Sequence, residues 1–204
     1  MIPTPAKYPL SRCAVFTLLA GAGLWWDLYS KSLAFGALGY ARLPGDRQPI
    51  SEPWFTWLWG DRVLFISTNF NYGALWGIGQ GWSTAFALLS ILAALGIAYW
   101  LFVHGAAHSL WLTVALGFVM AGTLGNLYDR LGLHGLLHFD GTPIRAVRDF
   151  IYFKIIEWPI FNFADSFLVT GAIMLVLHAF WIDTAEKKSG ELSDRREVRQ
   201  TPPS

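Results

Sequence analysis

Between Arg62 and Asp129 the chain carries no Asp, Glu, Lys or Arg. A water-soluble domain cannot bury so long an uncharged run, so a bilayer is its natural solvent. Composition agrees: the 204 residues are 54% hydrophobic and 14% charged, against roughly 25% charged in an ordinary soluble domain. The length suits one domain. A net charge of +1, with no basic patch interleaved with aromatics, gives no footprint for nucleic acid. Cys13 is the sole cysteine, which leaves no intrachain disulfide and no cysteine cluster for zinc.

Four apolar segments are long enough to cross about 30 Å of hydrocarbon. They lie near 13–38, 84–103, 110–128 and 164–182. The expected fold is an all-α membrane core, a four-transmembrane-helix bundle. The first segment has an alternative as a cleaved signal peptide, since Lys7 and Arg12 precede an apolar run with Ala20-Gly21-Ala22-Gly23. Its apolar character continues through Trp25 and Trp26 to Leu38, which suits a span better.

Basic residues precede the first span (Lys7, Arg12) and follow the last (Lys187, Lys188, Arg195, Arg196, Arg199). An even number of spans puts both ends on one side, and the excess of Lys and Arg makes that side cytoplasmic. Two longer connections, 39–83 and 129–163, then face outward, though they too carry Arg42, Arg47, Arg62, Arg130, Arg145, Arg148 and Lys154. In the first, Arg62–Thr68 reads as a strand of a small β-rich extracytoplasmic segment; the second reads as a further loop or helix. Residues 183–204 mix both charge signs and read as a cytoplasmic tail, disordered beyond its first turn or two.

Acidic groups within or beside spans are costly, and are functional candidates for that reason. Asp27 lies in the first span with Lys31 four residues on, a spacing that lets them pair. Asp129 ends the third span and Asp165 begins the fourth. Measured from the cytoplasmic side, helical rise places these three acids at about 21, 27 and 24 Å. They converge near the outer interface, and Asp149 arrives at that end from the second outer connection. Two carboxyls sharing a desolvated site cannot both ionise easily; one keeps its proton while the other activates water, as in aspartic proteases. A structural role, through ion pairs with Lys31, Arg130 and Arg148, is the competing reading, and it is favoured for Asp27 with Lys31.

Five blocks follow one another: Asp27-Leu-Tyr-Ser-Lys31, Asn71-Tyr-Gly-Ala-Leu-Trp-Gly77, Gly122-Thr-Leu-Gly-Asn-Leu-Tyr-Asp-Arg130, Val147-Arg-Asp-Phe-Ile151 and Trp158-Pro-Ile-Phe-Asn-Phe-Ala-Asp165. In content and order, over roughly residues 12 to 182, they resemble lipoprotein signal peptidase (signal peptidase II). The resemblance implies a single membrane-embedded peptidase domain over 1–182. Its implied activity is an aspartic endopeptidase that removes signal peptides from prolipoproteins on the N-terminal side of a diacylglyceryl-modified Cys. The implied setting is the outer face of the bacterial inner membrane, with lipidated prolipoproteins and membrane lipids as partners and no metal or organic cofactor. The implied catalytic pair is Asp149 and Asp165. Asn71, Gly73, Gly122, Asn126, Asp129, Arg130, Asn162 and Ala164 are implied to line or brace the cleft, with Asp27 and Lys31 in support.

Three departures stand out. Leu75-Trp76 replaces a usual Ala-Phe, Arg148 replaces a usual apolar residue beside Asp149, and the interval from Arg130 to Asp149 is longer than usual. The added segment, 131–146, reads either as a flexible cover, with Gly132, Gly135 and Gly141 as flexible points and Leu133, Leu136, Leu137 and Phe139 as apolar surface, or as a tolerated surface extension. Its His134, His138 and Asp140 lack the His-Glu-x-x-His order of a metalloprotease. Other classes are a small proton- or ion-coupled transporter, whose acids would sit near the midplane between inverted repeats, and a catalytically inactive paralogue.

Overall fold

The computed structural model describes residues 10–40, 50–53, 63–73, 79, 81–156 and 158–200, with side chains described except at 50–53 and 182–200. Lys7, Arg42, Arg47, Arg62, the Leu75-Trp76 departure and the side chains of the basic residues beyond 182 lie outside what is described. The helices are α1 (Leu10–Leu38), α2 (Ser83–Phe102), α3 (Leu110–Arg130) and α4 (Phe163–Gln200); the strands are β1 (Ile50–Pro53), β2 (Leu64–Asn71) and β3 (Val147–Phe153).

Three helical segments, at 83–102, 110–130 and 163–181, are long and apolar enough to cross a membrane. Helix α1 has 29 residues, about 44 Å at 1.5 Å per residue. It carries Arg12, Asp27 and Lys31 and is not among the three. Leu88, Leu92 and Leu95 of α2 and Val169, Ile173 and Phe180 of α4 stay exposed, a lipid-facing surface rather than a watery one. Helix α3 sits at the centre, packed against both α1 and α4. That packing is close because Gly122 has no side chain: a Cβ there would collide with the Ala164 carbonyl oxygen.

The turn between α2 and α3 is set locally. Gly105 takes the left-handed conformation (φ 82), and the Ser109 hydroxyl caps α3 by accepting from Leu112 N–H at 3.3 Å. One apolar cluster, around Phe16, Leu101 and Leu116, fills this end. A second, with Ala34, Phe35, Leu64, Phe150 and Ile151, joins the far end of α1 to the sheet. The polar site lies between the two.

The sheet is antiparallel in the order β1-β2-β3. β2 pairs Leu64 with Phe153 and Asn69 with Asp149, with an irregularity between Ile66 and Asn69. Of the strand expected at 62–68, the described residues form one from Leu64 that runs on to Asn71. The connection 129–163, expected as loop or helix, instead contributes β3, and one turn of 3-10 helix follows, at Lys154–Ile156. Val147, Phe150 and Ile151 are β-favouring residues that the sheet buries. Another expectation changes at the carboxyl end: α4 continues to Gln200, where a tail without structure was expected. Ala185, Glu186, Lys187 and Lys188 are strong helix formers and prolong it.

The added segment is a folded turn structure. His138 N–H donates to Thr142 O at 2.9 Å and Ile144 N–H to Leu136 O at 3.0 Å. Gly132, Gly135 and Gly141 all have positive φ, the conformation that these turns ask of a glycine.

Candidate active site

Lys31 is the hub of a buried polar layer. Its Nζ reaches Asp27 Oδ2 at 2.7 Å and Asp129 Oδ2 at 3.2 Å, and donates to Asn126 Oδ1 at 3.1 Å. Lys31, Asp27 and Asp129 are all fully buried. An ammonium between two carboxylates is tolerable there because each charge has a partner. Asp27 Oδ1 also accepts Ala164 N–H at 2.8 Å, tying α1 to the start of α4. The acids of three helices therefore meet at one level, as helical rise predicts, and the pairing reading of Asp27 with Lys31 holds. Asp129 is likewise committed to cations, since Arg148 Nη2 lies 2.9 Å from its Oδ1.

Asp149 and Asp165 belong to a different set of contacts. Asp165 is in the first turn of α4, and Asn162 precedes the helix. Asn162 Oδ1 accepts Asp165 N–H at 3.0 Å and Asn162 N–H donates to Asp165 Oδ2 at 3.1 Å. This is a reciprocal capping box. The other Asp165 oxygen, Oδ1, accepts from Asn126 Nδ2 at 2.8 Å. Asn162 Nδ2 meanwhile donates to Asp149 Oδ1 at 2.6 Å and to Asn126 Oδ1 at 3.2 Å. The two carboxyls thus share one asparagine. Asn162 reaches Asp149 because Phe161 runs back along β3, exchanging backbone bonds with Ile151 at 2.8 and 3.0 Å.

Asp149 is 1% exposed, whereas Asp165 is half-buried. Burial first, and the Asp165 carboxylate second, push the Asp149 carboxyl well above the usual carboxylate range; the Lys31 ammonium, and then hydrogen bonds from Asn162 and Asn71, oppose this in part. Such a pair has a place for one proton and one negative charge.

The remaining expected site residues fall around this pair. Asn71 ends β2, and its Oδ1 accepts Gly73 N–H at 3.0 Å. Arg130 Nη2 donates to Gly73 O at 3.3 Å, and its guanidinium lies 5.4 Å from the Phe86 ring centre. Gly122 and Ala164 set the contact of α3 with α4. Gly125 was not singled out from sequence, yet a Cβ there would collide with the Asp27 carboxylate; its signal is the Ala121-x-x-x-Gly125 spacing of small residues at close helix pairs. Ser32 was missed as well, and no local pattern marks it. His134 packs beside the Phe70 ring, 6.2 Å between centres, its Nδ1 accepting Leu136 N–H at 3.0 Å. Among the described residues no group of three or more His, Cys, Asp or Glu is placed to hold a metal ion.

A family model described as Signal peptidase (SPase) II matches residues 15–181. The chain is 40% identical over 209 residues to a lipoprotein signal peptidase of Rhodopirellula baltica, covering 95% of this chain and 88% of that one. It is 30% identical to a lipoprotein signal peptidase of Geobacillus thermodenitrificans, covering 86% of this chain and 96% of that one. A solved structure of a bacterial membrane enzyme superposes with a TM-score of 0.64 at 28% identity, covering 85% of this chain and 92% of that one.

Proposed function

The chain belongs to the signal peptidase II family, and on that premise we propose that it removes signal peptides from lipid-modified prolipoproteins, using Asp149 and Asp165 as an aspartic catalytic pair. The observation that carries the pair is the shared Asn162, which bonds to both residues while leaving one carboxyl buried and the other accessible.

At rest Asp149 holds the proton and Asp165 the charge. Both Asp165 oxygens accept hydrogen bonds, the role of an ionised carboxylate. Water attacks the scissile carbonyl carbon and passes a proton to Asp165, while Asp149 gives its proton to the carbonyl oxygen. The tetrahedral diol then collapses. Asp165 protonates the departing amine, and Asp149 regains a proton from the diol hydroxyl. The cycle closes with both groups as they began, and neither step calls on a metal or organic cofactor.

In this reading α1 is the fourth span, its Asp27 and Lys31 made tolerable by pairing. Both termini face the cytoplasm, and the pair opens at the outer face of the bacterial inner membrane. The cleaved bond precedes a diacylglyceryl-modified Cys, whose acyl chains stay in the adjoining leaflet. Purified protein in detergent is expected to cleave a lipidated prolipoprotein and to spare the unlipidated form. Asp149→Asn and Asp165→Asn are each expected to lower kcat by orders of magnitude in a folded protein. Full activity in either variant removes that residue from the pair.

A further inference from the structure

We propose that Arg148 is a positioning residue for Asp149, clamping β3 to α3 and α1 so that the next carboxyl meets Asn162 and Asp165. Successive side chains of a strand point to opposite faces, so Arg148 turns away from the pair that Asp149 joins. Its Nε and Nη2 donate to Asp129 Oδ1 at 3.0 and 2.9 Å, and its own backbone N–H donates to Asp129 Oδ2 at 3.0 Å. One carboxylate at the end of α3 thus holds both the main chain and the side chain of the residue before Asp149. Arg148 Nη1 extends the hold to α1, donating to Ser32 Oγ at 3.3 Å, and that hydroxyl donates to Leu28 O at 2.8 Å.

The strand needs this hold at a break in its ladder. The ladder between β2 and β3 is irregular from Ile66 to Asn69, immediately beside the Asn69–Asp149 pairing, and a ladder interrupted there specifies register less firmly. An apolar side chain at 148 has no donor for Asp129 or Ser32.

The inference rests on the reading of Asp149 as catalytic, and the variants separate the two. With full-length protein and lipidated prolipoprotein, Arg148→Leu is expected to lose at least tenfold in kcat with KM within twofold. Its pH–rate profile is expected to show the two apparent pKa values of the pair drawn closer, because a displaced Asp149 interacts less with Asp165. Arg148→Lys is expected to recover part of kcat, since a single ammonium reaches Asp129 without the two-point hold. A folded Arg148→Leu with kcat within twofold of the parent overturns the proposal. So does a kcat loss with unchanged pKa spacing that Ser32→Ala matches at equal loss of melting temperature, which makes Arg148 a plain stabiliser. Should Arg148→Leu not fold, Arg148→Lys is judged instead: lower kcat with narrowed spacing supports the proposal, and an unchanged profile overturns it. An active Asp149→Asn overturns the catalytic reading whatever Arg148 does, whereas an inactive Asp149→Asn beside a parent-like Arg148→Leu overturns the positioning proposal alone.

Discussion

Asn162 and Asp165 cap each other at the start of α4, the Asn162 side-chain Oδ1 accepting Asp165 N–H at 3.0 Å and the Asp165 carboxylate accepting Asn162 N–H at 3.1 Å. The orientation of a candidate catalytic carboxyl is therefore fixed by the same bonds that begin a helix. The second Asn162 contact, Nδ2 to Asp149 Oδ1 at 2.6 Å, is independent of capping, so substitution can separate the two roles. Asn162→Ala loses the cap, about 1 kcal/mol, and a hydrogen bond to the reacting group, about 1.5–3 kcal/mol or roughly 10- to 100-fold in kcat. Asn162→Ser restores the cap, because a hydroxyl at that position still accepts from the helix, but it has no amide to reach Asp149. Thermal melting is expected to recover in the serine variant while kcat stays low. Recovery of both together would assign Asn162 to capping alone.

Asp149 makes a claim on stability opposite in sign to that of a salt-bridged carboxylate. Its carboxyl is raised from the ordinary value of 3.8, by burial and then by Asp165. The unfolded chain therefore gives up this proton at lower pH than the folded one does. Between the ordinary value and the raised one the folded state binds more protons, so stability falls as pH rises, by up to about 1.4 kcal/mol per pH unit. Asp149→Asn has no proton to lose there. The variant is expected to melt above the parent at pH 7 to 8, with the difference shrinking toward pH 4. A variant that melts below the parent by a constant margin across that range contradicts the assignment of a raised carboxyl.

Lys31 is the only cation within reach of Asp27 among the described ion pairs. Lys31→Met leaves that carboxylate buried and unpaired, which costs about 3–5 kcal/mol. The variant is expected to accumulate poorly in the membrane and to melt far lower in detergent. Adding Asp27→Asn removes the orphan charge, while Asp129 keeps Arg148, so the double variant is expected to recover much of the loss. Equal melting of the single and double variants would mean that Lys31 acts through packing rather than charge.

The sequence made legible what depends on neighbours along the chain. Asp27, Asp129 and Asp165 could be placed at one level because a helix rises by a constant amount per residue, and the Asp27–Lys31 pair follows from i,i+4 spacing. The capping box of Asn162 with Asp165 went unread, although its three-residue spacing is just as local. What stayed hidden depends on pairing at a distance. The segment around Asp149 is a strand because β2, some 80 residues earlier, supplies its edge. Arg148 adjoins Asp149 in sequence, yet strand alternation sends its guanidinium to Asp129. The added segment looked loose because it holds three glycines, and only the backbone bonds across it reveal a turn structure.

That segment divides into a stem and a tip with different expected consequences. Ile144 and Ala146 are fully buried, and Leu136 packs on the outer cluster, so the stem is part of the fold. The tip is not: Leu133, Leu137 and Phe139 stay exposed, Phe139 at 79%. Tyr40, beyond the end of α1, reaches Leu137 O with its hydroxyl at 3.4 Å, so the tip is fixed near the end of α1 that meets the sheet. An exposed aromatic there can rest on lipid or on the lipidated substrate, which would show in binding rather than in bond cleavage. Phe139→Asp is expected to raise KM for lipidated prolipoprotein several-fold, with kcat and melting temperature unchanged, because the side chain contributes no internal packing. An unchanged KM across several prolipoproteins would reduce the tip to a tolerated surface extension. A fall in kcat without a change in KM would instead mean that the tip acts on the catalytic pair through the stem and β3.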